Sequence, residues 1–268
     1  MTDDTDTGPL IRRADQDGIA TLTLAQPQTL NALSTLMLRA LDAHLSALAA
    51  DDAVRVVILA AEGKAFSAGH DLKELQSYRQ DPDGGRARFQ ALFNLCAGVM
   101  QRLATLPQPV IARVQGVATA AGCQLACSCD LITASDIARF GVNGINLGLF
   151  CSTPAVALTR RLAPGAAFEL LTTGDFLSAP RAHALGVVNR LVPPDQLDAE
   201  TLGLAQSIAA KDPAAIRLGK RAFQAQLGQP LDQAYRTAGA IMVENVLRLD
   251  TDHGIQHFLD RRSDPRKT

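Results

Sequence analysis

The stretch "PVIARVQGVATAAGCQLACSCDLITAS", residues 109–135, decides the fold. An apolar strand over 109–116 runs into a turn of small residues, a short helix opens at Ala121, and a second strand follows over 130–135. Short buried strands alternating with helices predict a parallel α/β core. The turn also carries a chemical signal. Gly and Ala before a helix start let backbone N–H groups approach a ligand, and the helix start favours developing negative charge there. Gln124 then stands where an acid is expected: it has the length of glutamate, but its amide exchanges no proton near neutral pH.

The same pattern extends in both directions. "IATLTLA" (19–25) alternates as a strand, "QPQTLNALS" turns the chain, and an amphipathic helix is predicted from Thr35 to Ala49. "VRVVILAAE" (54–62) gives the next strand, followed by a loop over 63–71 and a helix over 86–106. "SYRQDPDGGRARF" (77–89) is polar and bears two glycines, so it is expected as a mobile lid. After "VVNRLVPPDQL" (187–197) the strand pattern stops, and helices are predicted near 196–210, 213–227, 230–248 and 251–262. The expected division is therefore a core over 1–195 and a helical region over 196–268, whose apolar middle must cover its own core or a neighbouring subunit.

Composition excludes several classes of function. The 268 residues suffice for a large core, filled by Ala, Leu and Val since aromatics make up only 4% and Trp is absent. A net charge of −1, from 26 basic and 27 acidic residues, leaves no electrostatic footprint for nucleic acid or an anionic membrane. The start "MTDDTDTGPL" lacks the basic and apolar regions of a secretory signal and the arginines of a transit peptide, so a cytoplasmic protein is expected. Five cysteines, an odd number in apolar surroundings, suit reduced thiols.

Two loops carry the candidate chemistry. "KAFSAGHDLKEL" (64–75) places small residues after a strand and opens a helix at Asp71, which directs the N–H groups near Gly69 and His70 at one ligand oxygen. The Gly/Ala turn before Gln124 supplies the second donor. Two backbone donors from separate loops make an oxyanion hole, suited to a thioester oxygen becoming an enolate or a tetrahedral oxyanion. Small residues before a helix also simply permit close packing, and either loop alone is compatible with that.

The motifs "PQTLNALS", "FSAGHDLKEL", "GVATAAGCQLACSCDLITAS", "ARFGVNGINLGL", "LTTGDFLSAPRAHALGVVNRLVP" and "GIQHFLDRR" occur in this order across roughly residues 10 to 264. In these the chain resembles the crotonase, or enoyl-CoA hydratase/isomerase, superfamily. The resemblance implies a ClpP/crotonase-like α/β spiral of repeated ββα units and a C-terminal helical trimerisation region. It implies an acyl-CoA ligand, no cofactor beyond the CoA moiety, and a homotrimer or a hexamer built as a dimer of trimers. The oxyanion donors would be the N–H groups of His70 and Ala121. His70, Asp71, Leu72 and Lys73 would line the CoA, and Phe258 with Arg261 would reach a neighbouring subunit's CoA. The two glutamates that hold water in the family's hydratases fall at Gln124 and Gly144. Both acids are missing, and Gly144 offers no side chain at all.

Other residues have competing readings. Cys151, in "GLFCSTPAV" (148–156), opens a helix whose N-terminus would lower a thiol pKa and favour a nucleophile; alternatively Ser152 or Thr153 caps the helix and Cys151 packs. Asp71 is expected to cap its helix, leaving His70 to act through its backbone or as a proton donor. Cys123, Cys127 and Cys129 lack zinc-site spacing, and His253 with His257 lack the acid of a metalloprotease helix, so no metal is expected. Gly141, Gly144 and Gly148 do not form a dinucleotide fingerprint. Two functions remain: an enoyl-CoA hydratase-like lyase or isomerase (or an acyl-CoA hydrolase) using other polar residues, and a non-catalytic acyl-CoA binder or regulatory subunit.

Overall fold

A computed structural model describes residues 8–262, with side chains through residue 260. The first elements are strands β1 (Ile11–Gln16) and β2 (Ile19–Leu24), helix α1 (Thr35–Ala49), strands β3 (Val56–Ala61) and β4 (Ala65–Ser67), and helices α2 (Leu72–Tyr78) and α3 (Arg86–Thr105). Strands β5 (Val110–Val114) and β6 (Val117–Thr119) precede α4 (Ala121–Ser128); β7 (Leu131–Ser135) and β8 (Arg139–Gly141) precede α5 (Ser152–Leu158) and α6 (Pro164–Thr173). Strand β9 (Phe176–Ser178), helix α7 (Ala179–Ala184), strand β10 (Arg190–Val192) and helices α8 (Leu197–Ala209), α9 (Pro213–Gln226), α10 (Leu231–Val246) and α11 (Leu249–Arg262) complete the order.

The strands come in pairs that separate into two sheets. From β3 to β8 the first strand of each pair joins a six-stranded sheet, β1-β2-β3-β5-β7-β10, and the second joins a four-stranded one, β4-β6-β8-β9; β1 and β2 both lie in the larger sheet, and β9 and β10 reverse the rule. Pairing is parallel except for β1 with β2 and β8 with β9. This is the repeated ββα spiral that the family resemblance implies. The residues explain it: β3, "VVILAA", is buried throughout, as a central parallel strand covered on both faces must be. Its alternation splits the packing, with Val57, Leu59 and Ala61 in the main core and Val56, Ile58 and Ala60 in a second cluster with Ala205 and Ala209 of α8. Helix α1 buries Met37, Leu38, Leu41, Leu45 and Leu48 at helical spacing, and the Ser34 hydroxyl caps it by accepting from the Met37 N–H.

The chain divides into two compact units that meet in sequence at Ala209 and Ala210. The division was expected at 195/196. Helix α8 accounts for the difference, because its Ala205 and Ala209 pack on the large sheet, and Arg55 on β3's approach donates to the Ala209 carbonyl at 2.9 Å. In the second unit α9 packs with α10, and Arg221 pairs with Glu244 at 2.5 Å. No described side chain between 210 and 260 is buried, although Leu231, Tyr235, Leu247 and Leu249 are large and apolar.

The expected lid over 77–89 is shorter and more tightly held. Tyr78 is the last residue of α2 and is buried, Arg86 already begins α3, and the Asp83 carboxylate accepts from the N–H groups of Gly85 and Ala87, both at 2.9 Å. The Arg88 guanidinium lies 3.8 Å over the Tyr78 ring. Among the described residues no helix is long and apolar enough to cross a membrane.

Candidate active site

The two glycine-bearing loops meet. Gly69 follows β4 with φ +88°, a conformation that glycine adopts without penalty. A Cβ on Gly69 would lie 2.9 Å from the Ala120 Cβ and 3.1 Å from the Ala121 nitrogen, so the loop ahead of α2 sits directly against the loop ahead of α4. The "PQTLNALS" turn clamps the first loop from behind. Leu33 N–H donates to the Gly69 carbonyl at 2.7 Å, Ala68 N–H to Leu30 at 3.0 Å, and the buried Asn31 amide to the carbonyls of Glu62 and Ala65, both at 2.9 Å. Asn31 was not singled out from sequence. Its signal is the polar residue inside an otherwise apolar turn.

The second loop is held by strain and close packing. Ala120 has φ 50° and ψ −122°, where a side chain costs about 1–3 kcal/mol. Its N–H donates to Gly141 at 2.9 Å, tying the turn to β8. The sequence drew attention to Ala121, but the left-handed residue is its neighbour. Among the described residues the N–H groups of His70 and Ala121 meet no protein acceptor. Two unspent donors at the junction of two loops are what an oxyanion hole requires.

A cavity of about 560 Å³ opens at this junction. His70, Ala121, Gly144 and Cys151 all line it, together with Leu72. Gln124 does not line it. It is buried within α4, and its Oε1 has no hydrogen-bond partner. Asp71 caps α2 as expected, accepting from Lys73 N–H at 2.8 Å and Glu74 N–H at 3.3 Å, and neither it nor Lys73 lines the cavity. Phe258 lies on α11 in the second unit, and the side chain of Arg261 falls outside the described residues.

The two titratable side chains of the cavity are both held neutral. His70 Nδ1 is 3.1 Å from the Leu33 carbonyl, which can only accept, so Nδ1 carries the proton and Nε2 presents a lone pair. Nε2 is buried without a partner, and the ring meets Phe93 edge-on at 5.6 Å. Burial pushes the His70 pKa below the ordinary 6.5. Burial likewise raises the Cys151 thiol above its usual range, opposite to the direction in which a helix start alone would move it. Neither Ser152 nor Thr153 caps α5: Cys151 is the cap position, no side chain accepts there, and Ser152 donates to the Phe150 carbonyl at 3.3 Å.

Gly144 explains itself sterically. A Cβ there would lie 2.6 Å from the Leu149 carbonyl oxygen and 2.8 Å from Cys151 Sγ. Backbone and thiol therefore fill the space a side chain would enter. The cavity holds a further polar pair that sequence reasoning missed, Thr119 Oγ1 donating to Asn143 Oδ1 at 2.5 Å. All five cysteines are buried free thiols, and among the described residues no group of three or more His, Cys, Asp or Glu is arranged to hold a metal.

Known proteins place this chain in a family. Residues 14–267 match the family model described as enoyl-CoA hydratase/isomerase. Mouse enoyl-CoA hydratase domain-containing protein 3, a mitochondrial protein by its name, is 42% identical over 247 residues, covering 92% of this chain and 81% of that protein. The crystal structure of an enoyl-CoA hydratase from Mycobacterium smegmatis superposes with a TM-score of 0.91 at 49% identity, covering 95% of this chain and 97% of that one. That of human enoyl-coenzyme A hydratase domain-containing protein 3 gives 0.89 at 40%, covering 94% and 98%. On this match of sequence and fold, the chain belongs to the enoyl-CoA hydratase/isomerase, or crotonase, family.

Proposed function

We propose that the chain binds an acyl-CoA thioester with the thioester oxygen between the N–H groups of His70 and Ala121. The observation that carries this is the pair of unspent donors on two abutting loops at the mouth of a largely apolar cavity. The segment His70 to Lys73 then follows the CoA, and Phe258 with Arg261 reaches the CoA of a neighbouring subunit in a homotrimer or a pair of trimers. The exposed apolar side chains of α10 and α11 support such an assembly.

The chemistry that fits is enoyl-CoA hydratase or isomerase chemistry. Hydrogen bonds to the thioester oxygen stabilise the enolate that either reaction passes through, each donor being worth about 10² to 10³ in rate. Among the described residues no carboxylate lines the cavity, so proton transfer falls to the Nε2 lone pair of neutral His70 or to the Cys151 thiol. Gln124 Oε1 and His70 Nε2 are both buried and unpartnered, each at a cost of about 1–3 kcal/mol, which a bound water or ligand would offset.

A second reading, a non-catalytic acyl-CoA binder, is favoured by Gly144, whose side-chain space is already filled by Leu149 and Cys151. Calorimetric titration with crotonyl-CoA and a saturated analogue, run beside an assay of crotonyl-CoA hydration, separates the two. Binding with turnover supports the enzyme and binding without turnover the binder. Absence of affinity for several acyl chain lengths removes both.

A further inference from the structure

We propose that a second pocket, between α1, α2 and α3, binds a small apolar monocarboxylate, a free fatty acid anion being the simplest, with its carboxylate held by Arg39 and Arg88. The pocket measures about 470 Å³ and shares no lining residue with the cavity described above. Helices α2 and α3 form the partition between them. Leu72, Leu75 and Phe93 line the cavity, whereas Glu74, Tyr78 and Leu92 line the pocket.

Unspent charge marks the pocket. Arg39 of α1 and Arg88 of α3 line it, and Glu74 is the one carboxylate among the described residues of its lining. Glu74 is already engaged: its Oε2 accepts from the Thr35 N–H at 2.9 Å and its Oε1 from the Tyr78 hydroxyl at 2.6 Å. Among the described residues Arg39 has neither an ion pair nor a hydrogen bond. Arg88 has Asp81, which lies outside the lining at 3.6 Å, too long for a hydrogen bond. Two cations against one carboxylate leave the lining with one positive charge in excess, which a monoanion balances.

One of the two forks is set in place before any ligand arrives. The Arg88 guanidinium lies 3.8 Å over the Tyr78 ring, and the Tyr78 hydroxyl is tied to Glu74 and, at 2.9 Å, to Thr35 Oγ1. A guanidinium so placed offers a carboxylate two parallel N–H groups with little rotamer freedom left to lose. The rest of the lining sets the body of the ligand. Leu36, Ala91, Leu92 and Leu95 are apolar, and Leu36 is 65% exposed, surface that an apolar chain would cover. Inorganic phosphate could pair with the arginines but would cover none of it. A few polar anchors in a largely apolar hollow is the usual form of a small-molecule site, and the volume falls within their common range of roughly 300–1,000 Å³.

The test is calorimetric titration of octanoate, octanamide and inorganic phosphate against the parent protein, Arg39→Gln, Arg88→Gln and Leu36→Glu. All three altered side chains are exposed, so the variants should fold, and thermal melts check that they do. The parent is expected to bind octanoate with a dissociation constant below about 1 mM, and to bind octanamide and phosphate about 10-fold more weakly or less well still. Each arginine variant should lose about 10-fold in octanoate affinity, the worth of a charge-assisted hydrogen bond. Leu36→Glu should lose as much, by placing a like charge beside the carboxylate and removing apolar surface. Failure of the parent to bind octanoate overturns the proposal. So does equal affinity for octanoate and octanamide, which removes the role of charge, or for octanoate and phosphate, which leaves a simple anion site. Parental octanoate affinity in any of the three variants places the ligand elsewhere and overturns it too.

Discussion

The two walls of the cavity are built on opposite terms. On one, every residue from Ala121 to Cys127 is buried, Ala120 is held at a positive φ, and Gly122 presses so close to β4 that a Cβ would lie 2.2 Å from the Ser67 carbonyl oxygen. On the other, every residue from Asn146 to Phe150 is exposed, including Leu147, Leu149 and Phe150. The wall that presents the Ala121 N–H has no freedom to move, as a donor aimed at a developing charge requires. The wall that faces it is loosely covered. Gly144, where the family resemblance implies the second glutamate of a hydratase, leads into the exposed wall, and Gln124, where it implies the first, lies within the buried one.

The contrast breaks most directly at its tightest point. Gly122→Ala drives a methyl group into backbone that cannot retreat, and is expected to cost about 3 kcal/mol or more in urea-unfolding experiments. A loss below about 1 kcal/mol would show that the α4 wall yields after all. Gly144→Ala meets a similar approach, 2.6 Å to the Leu149 carbonyl, but on an exposed segment that can shift. Its expected cost is about 1–2 kcal/mol, and Cys151→Ala in the same chain should recover part of it by removing the Sγ contact. A Gly144→Glu graft faces the same steric barrier, although φ at Gly144 is not positive and adds no backbone strain. Restoring two carboxylates for water addition therefore requires the loop to move as well as Gln124→Glu.

Ala120→Gly works in the opposite direction. Relief of the positive φ exceeds the entropy that glycine adds to the unfolded chain, so the variant should be more stable by about 1 kcal/mol. A destabilised variant would mean that the Ala120 methyl packs against Gly69 to greater effect than its backbone strain costs.

The mildest effect concerns pH. Burial lowers the folded-state pKa of His70, so the unfolded chain binds the proton more readily and stability rises with pH through this group. Its contribution is complete above the ordinary value of 6.5 and is lost as the pH falls through 6.5 towards the depressed folded value. Unfolding free energies measured on either side of that value should slope upward with pH in the parent and less so in His70→Gln. Equal slopes would place the imidazole in water in the folded state.

The central strands of the large sheet, the long helices and the two loops were legible because they are written in local patterns. The unbroken apolar run of β3 and the small residues ahead of α2 and α4 are examples, and helices α9 to α11 fall where periodicity puts them. What was not legible depends on contacts across the chain. The Thr119–Asn143 bond spans 24 residues, and nothing local in "VAT" or "VNG" announces it. The filling of the Gly144 space comes from Leu149 and Cys151, and the exclusion of Gln124 from the cavity wall comes from how α4 is buried. The 195/196 boundary followed the end of the strands, whereas α8 belongs with the sheet because its alanines allow close approach to β3 and β5.

Among the described residues no Asp, Glu, Lys or Arg lines the cavity, and burial disfavours the charged form of its histidine. The field inside it therefore comes from peptide dipoles, which dissolved ions do not screen as they do charges exposed to solvent. An acyl-CoA carries its own charge on the nucleotide phosphates. Raising the ionic strength weakens the grip on that end alone, so affinities for different acyl chains should fall together while their ratios stay the same. The choice among acyl groups would then be independent of salt, even though the strength of binding is not.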